Sequence, residues 1–270
     1  LFKLLINNTK NIMILLNDTV FTKIGGDNMV LDRSKDSKPL YLQIKDILKH
    51  KIINNEYAVG STIPSENELE DMFGVSRMTI RQAVNELVNE GLLRKERGRG
   101  KGTVVLSNAI ADKLSTVKSF TQKMQEQGLV LKNKQINISL VTPDETVAAA
   151  LNIDPSEQVL RLSRIRMVNN DIIMFSISYI PGFLNLPFDA ELYGSLYQLL
   201  SAQNIQISHA EEYIEAMLAD DLISQALEIS LNDAVLKRTR ISQDQYNRNI
   251  EYTTTYYRSD KYKYVVELTV

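Results

Sequence analysis

The sequence predicts an α+β chain in two parts: a small three-helix domain closed by a short hairpin, then a larger domain around an antiparallel sheet. Three observations carry that reading. Helical apolar periods with capping signals run to about Glu90 and give way to a glycine-rich basic hairpin. Farther on, the segment starting at Ala150 aligns with the one starting at Ala226 at a constant offset. The 270 residues are also the length of two modest domains.

With 44% hydrophobic and 24% charged residues the composition is that of a globular chain. The absence of cysteine excludes a disulfide framework, thiolate metal sites, iron–sulfur clusters and a cysteine nucleophile. His50 and His209 are the only histidines, too few for a multi-histidine metal site. No apolar run approaches the ~20 residues of a membrane helix. No cofactor, metal or membrane is therefore expected, and a cytoplasmic location is. The net charge of −2 hides a split: residues 76–105 hold 7 basic against 3 acidic side chains, residues 106–270 hold 15 against 20. Such asymmetry fits a chain that meets a polyanion at one end only.

Residues 1–28 begin without methionine and show neither a helical nor a strand period. Asn7, Asn8 and Asn11 interrupt the apolar stretch a secretory signal needs. Back-translation of Ile24–Met29 accommodates a purine-rich ribosome-binding sequence before a start codon. The expectation is translation from Met29, with residues 1–28 a conceptually translated leader; a disordered arm is the alternative.

The small domain spans residues 38–106. After Pro39, residues Leu40, Ile44, Ile47, Leu48 and Ile52 recur at helical spacing. Ser65 and Glu68 form a capping box before a second, short helix, and Gly74 can take the left-handed conformation that stops it. Only Val75 separates that glycine from Ser76, the cap of a third helix that runs to Glu90 and stops at Gly91. Two helices joined so tightly are the mark of a helix-turn-helix. In the third helix Ile80, Ala83, Val84, Leu87 and Val88 make the apolar stripe. Arg77, Arg81 and Asn85 follow one another at i, i+4, i+8 on another face, with Thr79 and Gln82 nearby. Arginine forks match guanine O6 and N7 in the major groove, and the first residues of a recognition helix reach base edges. Ser76 and Thr79 suit phosphate oxygens. A solvated helix face is the other reading of these residues.

The following hairpin favours DNA. Leu92-Leu93-Arg94 and Thr103-Val104-Val105 flank a basic tip that contains Gly98, Arg99, Gly100 and Lys101, placed as a wing against the sugar-phosphate backbone or minor groove. A phosphate-cradling nucleotide loop does not fit, because Lys101 is followed by Gly102 and the segment joins two strands. The stretches PLYLQIKDILKHKI, IPSENELEDMFGVSRMTIRQAVNELVNEGLLR and GKGTVV resemble the winged helix-turn-helix of the GntR family of bacterial transcription regulators. That resemblance implies DNA contacts from Asn67, Ser76, Arg77, Thr79 and Arg81, with Gly98, Arg99 and Gly100 at the wing tip. The tip here is two residues longer than the Gly-basic-Gly-Thr common in the family.

Residues 107–118 read as a linker and residues 119–270 as the larger domain. Ala150–Ile165 and Ala226–Ile241 share Ala, Leu, Ile, Val, Leu, Arg and Ile in register. Each segment ends a helix, crosses a polar turn and enters a strand; second strands follow at Ile172–Ile180 and Ile250–Tyr257. A pseudo-twofold α+β domain of antiparallel pairs is the economical reading. Alternation puts Arg164 and Arg166 on one face with Leu160 and Leu162, and gathers Glu251, Thr253, Thr255 and Tyr257 on one face of their strand. Arginines that continue an apolar face need an anion or carboxylate. A phosphorylated or carboxylated polar metabolite suits these residue types; a cross-strand ion ladder on a solvated face is the alternative.

The stretches RIRMVNNDIIMFSISYIP, GSLYQLL and NIEYTTTYYRSDKYKY resemble the UTRA effector-binding domain over residues 113–266. That domain defines the HutC-type branch of the GntR family and is similar in fold to chorismate lyase. The resemblance implies an amino-sugar phosphate or similar effector, its phosphate at a helix start like Ser119-Phe120-Thr121 with Arg164. Further ligand contacts fall on Arg166, Ser195, Tyr197, Glu251 and Tyr257. Many members carry glutamate where this chain has Ser176.

These readings imply a transcription repressor. The resemblance implies a homodimer that would present two recognition helices to the half-sites of a palindromic operator, released by a small anionic metabolite such as a sugar phosphate. A lyase-like enzyme acting on a small carboxylic acid is the alternative. Against it, the sequence offers no nucleophile–base constellation, metal cluster or nucleotide loop. A protein-binding adaptor fits the basic wing poorly.

Overall fold

The computed structural model describes residues 31–96, 102–113, 117–168, 170–266 and Leu268, together with the backbone of three strands ahead of them. The chain divides between Ala109 and Ile110 into two compact units. The three strands, β1 (Lys3–Ile6), β2 (Asn11–Leu16) and β3 (Thr19–Ile24), pair antiparallel in chain order. This differs from the expectation of an arm without regular structure. Stretches such as NIMILL and TVFTKI are rich enough in aliphatic and β-branched residues to favour extended backbone without strict alternation.

The rest of the first unit follows the sequence reading closely. It comprises α1 (Leu40–Ile53), α2 (Glu66–Phe73), α3 (Arg77–Asn89) and a hairpin of β4 (Leu93–Lys95) with β5 (Thr103–Val105). The Ser65–Glu68 capping box starts α2, and Gly74 ends it in the left-handed region at φ 59°. Ser76 then caps α3 by accepting from the Thr79 amide. Ile44, Leu48 and Ile52 of α1 pack with Leu69 and Phe73 of α2 and Ile80, Ala83, Val84 and Leu87 of α3. Leu31 is fully buried in the same core, and Arg33 donates to the carbonyls of Phe73 and Gly74 at 3.3 and 2.8 Å. Packing therefore starts ahead of residue 38, where the sequence reading put the boundary.

In the second unit the expected linker contributes a strand, β6 (Ile110–Lys113). The polar sequence around it hid the pairing, which is made at the far end of the chain. The elements that follow are α4 (Phe120–Glu126), β7 (Leu131–Val141), α5 (Glu145–Leu151), β8 (Val159–Val168) and β9 (Asp171–Pro181). After two short 3-10 turns come α6 (Leu196–Ala202), β10 (Ile207–Leu218), α7 (Asp221–Leu227), β11 (Ala234–Asp244), β12 (Asn249–Arg258) and β13 (Tyr262–Val265). β13 pairs parallel to β6, and the main sheet runs β10-β11-β12-β9-β8-β7 with every neighbour antiparallel.

That strand order is the repeat made visible, two α-β-α-β-β halves meeting at β12 and β9. Ser119 and Ser195 cap α4 and α6, Asp144 and Asp220 cap α5 and α7, and Asn152 and Glu228 end α5 and α7 at φ 53°. The helices divide between the two faces. Val147 and Leu151 of α5 and Ile223 and Leu227 of α7 pack on one, against Val159 and against Ile172 and Phe175. Leu196 and Leu200 of α6 pack on the other, against Leu160, Leu162 and Ile180. On this second face the strands turn polar toward α4 and α6, which makes room for a cavity.

Candidate functional site

Two regions bear chemistry, one in each unit. In the first, Arg77, Arg81 and Asn85 are exposed along α3, while Ile80, Ala83, Val84 and Leu87 anchor the opposite face. Ser76 and Asn67 are exposed beside them, and Thr79 is half-buried. The Ser76 hydroxyl also lies 2.9 Å from that of Thr79. These two hydroxyls therefore hold the helix start together as well as facing outward. Glu66 accepts from Lys95 at 2.9 Å and lies 3.5 Å from Arg77 Nε. The Lys95 bond holds the Glu66 carboxyl below the usual carboxylate range. Exposed pairs of this kind are worth little in water, and a phosphate can displace the glutamate. Met78, 70% exposed, is an apolar side chain the sequence reading passed over, and it lies among the polar ones at the helix start. A methionine there suits a thymine methyl group. Gly98, Arg99, Gly100 and Lys101 lie outside the described residues.

In the second unit a small cavity opens between the polar face of the sheet and the starts of α4 and α6. Ser119, Phe120, Thr121, Arg164, Arg166, Ser195, Tyr197 and Glu251 all line it, so the structure gathers residues that lie up to 132 positions apart in the chain, from Ser119 to Glu251. The face is buried, against the alternative of a solvated ion ladder: Arg164 is 7% and Arg166 3% exposed.

Arg166 is tightly held. Its Nε donates to Asn133 Oδ1 at 3.0 Å and its Nη2 to Thr121 Oγ1 at 3.1 Å and the Gly194 carbonyl at 2.5 Å. Arg164 donates from Nη1 to the Tyr193 carbonyl at 3.3 Å, and its Nε has no partner. Burial pulls the Arg164 guanidinium below its ordinary value. Burial, with the like charge of Arg164, pulls Arg166 well below it. Arginine stays protonated in proteins, so the direction has one meaning: the fold holds positive charge that it does not neutralise. Glu251 is satisfied by hydroxyls, accepting from Ser242 at 2.9 Å, Thr253 at 2.8 Å and Tyr197 at 3.2 Å. Burial and the Glu251 charge push the Tyr197 hydroxyl up to about 12.

Tyr257 does not line the cavity. It is fully buried, stacks on Tyr262 with centroids 4.1 Å apart, and lies under the Arg238 guanidinium at 5.5 Å. Its contact is with an arginine, not with cavity space. The sequence reading missed Arg238 and Arg240, both of which line the cavity and are 6% and 4% exposed. Arg240 pairs with Glu212 and donates to Tyr197 at 2.6 Å; Arg238 Nη1 lies 3.5 Å from the same glutamate. The signal for them was present, since the repeat places Arg240 where the first half has Arg164, and Arg238 alternates with it. Nearby, Lys123 and Asp112 form a buried pair at 2.7 Å, and Tyr262 donates to the same carboxylate.

Among the described residues no group of three or more His, Asp or Glu could hold a metal ion, and no helix is long and apolar enough to cross a membrane. The family described as bacterial regulatory proteins, gntR family, matches residues 40–105, and the UTRA domain matches residues 126–263. The chain is 33% identical to the HTH-type transcriptional repressor NagR of Bacillus subtilis over 232 residues, covering 84% of this chain and 93% of that one. It is 30% identical to the probable fructoselysine utilization operon transcriptional repressor of Escherichia coli, covering 82% and 91%. The crystal structure of PhnF from Mycobacterium smegmatis superposes with a TM-score of 0.63 at 27% identity, covering 84% of this chain and 99% of that one.

Proposed function

The chain belongs to the GntR family of bacterial transcription regulators, with a UTRA domain behind its DNA-binding domain, and from that premise we propose that it is a repressor released by a sugar phosphate. The cavity carries the effector half of the reading. Arg164 and Arg238 each keep an unpartnered Nε, and Arg164 and Arg166 carry charge the fold does not neutralise. A phosphate brings three acceptor oxygens and about two negative charges, which suits that deficit. Two of the relatives, NagR and the fructoselysine regulator, are named as repressors, which supports the direction of control.

On this reading Ser119, Thr121, Arg164, Arg166, Ser195, Tyr197 and Glu251 hold the effector, and Tyr257 acts through Arg238. Asn67, Ser76, Arg77, Thr79 and Arg81 contact the operator, joined by Gly98, Arg99, Gly100 and Lys101 of the wing. The protein acts as a homodimer, and its two α3 helices read half-sites about one helical turn apart. Relief of repression by ~100-fold needs the effector to favour the non-binding state by about 2.7 kcal/mol, an ordinary coupling energy.

The test is fluorescence anisotropy of the DNA upstream of its own gene, at fixed salt, with and without a panel of sugar phosphates. Tight binding released by one compound bears the proposal out. Binding that no anionic metabolite releases removes the effector half, and no specific binding removes the operator half.

A further inference from the structure

One row of side chains crosses the four central strands of the large sheet. Arg164 of β8 is in register with Ser176 of β9, Ser176 with Thr255 of β12, and Thr255 with Arg238 of β11. All four line the cavity, and none is more than 7% exposed. Each also carries a buried polar atom without a hydrogen-bond partner: Arg164 Nε, Ser176 Oγ, Thr255 Oγ1 and Arg238 Nε. Most buried polar atoms in folded proteins have a partner, so four orphans side by side in one row, all lining the cavity, mark a surface that suits a polar ligand. The row is nearly symmetric about the junction of the two halves, with a guanidinium at each end and two hydroxyls between. At the ordinary strand spacing its ends are about 14 Å apart at Cα, and the long arginine side chains narrow that gap from both sides.

The charges agree with the row. Four cavity arginines face Glu251 and Glu212, and Glu212 is held by Arg240 at one end. A single phosphate could match the excess in number but not in position. Placed beside Arg164 and Arg166, it leaves Arg238 Nε, three strands away, without an acceptor.

We propose that the effector carries two separated anionic groups on a hydroxylated skeleton of sugar size. One group sits on Arg164 and Arg166, the second on Arg238, and the skeleton hydroxyls bond Ser176 and Thr255. This rests on the reading of the cavity as the effector site. Ser176 fits it: a glutamate at that position, next to Arg164 in the row, would put a like charge between the two anions.

The test is isothermal titration of the full chain with glucose 6-phosphate, 6-phosphogluconate and glucose 1,6-bisphosphate. The wild-type protein should bind at least one of the last two ten or more times tighter than glucose 6-phosphate. Whichever is favoured tells whether the second group is a carboxylate or a phosphate. In Arg238→Gln the preference should collapse toward one. Arg238→Lys keeps the charge beside Glu212, and with it the fold, and should lose the preference in part; thermal melting verifies folding of both. The proposal is overturned if the wild type shows no preference, or if both folded variants keep it. If no compound of either kind binds, the effector reading itself has failed, a result distinct from binding without preference.

Discussion

Arg164→Met should make the protein more stable and less inducible at the same time. The Arg164 guanidinium donates a 3.3 Å hydrogen bond to the Tyr193 carbonyl and leaves Nε unpartnered. Losing that bond costs about 1 kcal/mol. The substitution also removes a buried cation whose desolvation costs several kcal/mol, together with its repulsion of Arg166. Glu251 loses a neighbouring charge but keeps its donors Ser242, Thr253 and Tyr197. Methionine fills most of the volume without strain. The balance is neutral to about 2 kcal/mol stabilising, and a domain of this size gains ~2–4 °C in melting temperature per kcal/mol. The effector loses one or two charge-assisted bonds worth ~1.5–3 kcal/mol each, so its affinity falls by about 100-fold. Thermal melting and calorimetric titration with a sugar phosphate that binds the wild type read the two effects separately. Operator affinity without effector should stay within about twofold, because Arg164 lies in the other unit from α3. A variant that melts several degrees lower yet still responds to effector would refute the reasoning, since Arg164 would then be a structural residue.

Arg81→Ala should weaken binding to the specific operator by ~1–3 kcal/mol, read by anisotropy against a scrambled duplex. Lys101→Ala should lower affinity evenly across sequences and reduce the salt slope by about 1, measured by the same titration at several salt concentrations. Asp112→Asn leaves the buried Lys123 ammonium without its counter-charge and should cost ~3–5 kcal/mol, visible as a large drop in melting temperature. Alkaline pH should destabilise the large unit. Burial raises the hydroxyls of Tyr197, to about 12, and of Tyr262 and Tyr264 above the ordinary 10. Groups with raised folded values stabilise fully below pH 10 and lose that contribution as the unfolded chain ionises above it. Stability should therefore fall from pH 10 toward 12 by ~1.4 kcal/mol per pH unit for each such tyrosine, read as a falling melting temperature. A flat profile there would show that these hydroxyls ionise freely in the folded protein.

The first unit was legible in the sequence almost to the residue, because its signals are local. Ser65, Glu68, Gly74 and Ser76 act within four residues of where they stand, and the structure uses each as a cap or stop. What escaped were contacts made at a distance. Leu31 and Arg33 reach the core and the end of α2 from outside the apolar period. β6 looked like linker because its partner, β13, lies near the other end of the chain. In the large unit alternation placed Arg164 and Arg166 on the correct face, and the repeat foretold paired halves. The repeat reaches beyond the two aligned segments. Extended backward it relates Ser119 to Ser195 at two helix starts, and applied to side chains it relates Arg164 to Arg240. Arg238 has no arginine counterpart in the first half, where Leu162 stands, so only the folded register could set it level with Arg164.

The proposed control requires a coupling between the arginine cavity of one unit and helix α3 of the other. Coupling is reciprocal by thermodynamic necessity. Calorimetric titration of the effector into the free protein and into its operator complex, at one salt concentration, measures it from the side opposite to DNA release. The effector should bind the complex more weakly, by the same factor with which it weakens operator affinity. Equal effector affinity for the two forms would contradict the account, leaving a ligand pocket and a DNA-binding domain that share a chain without controlling one another.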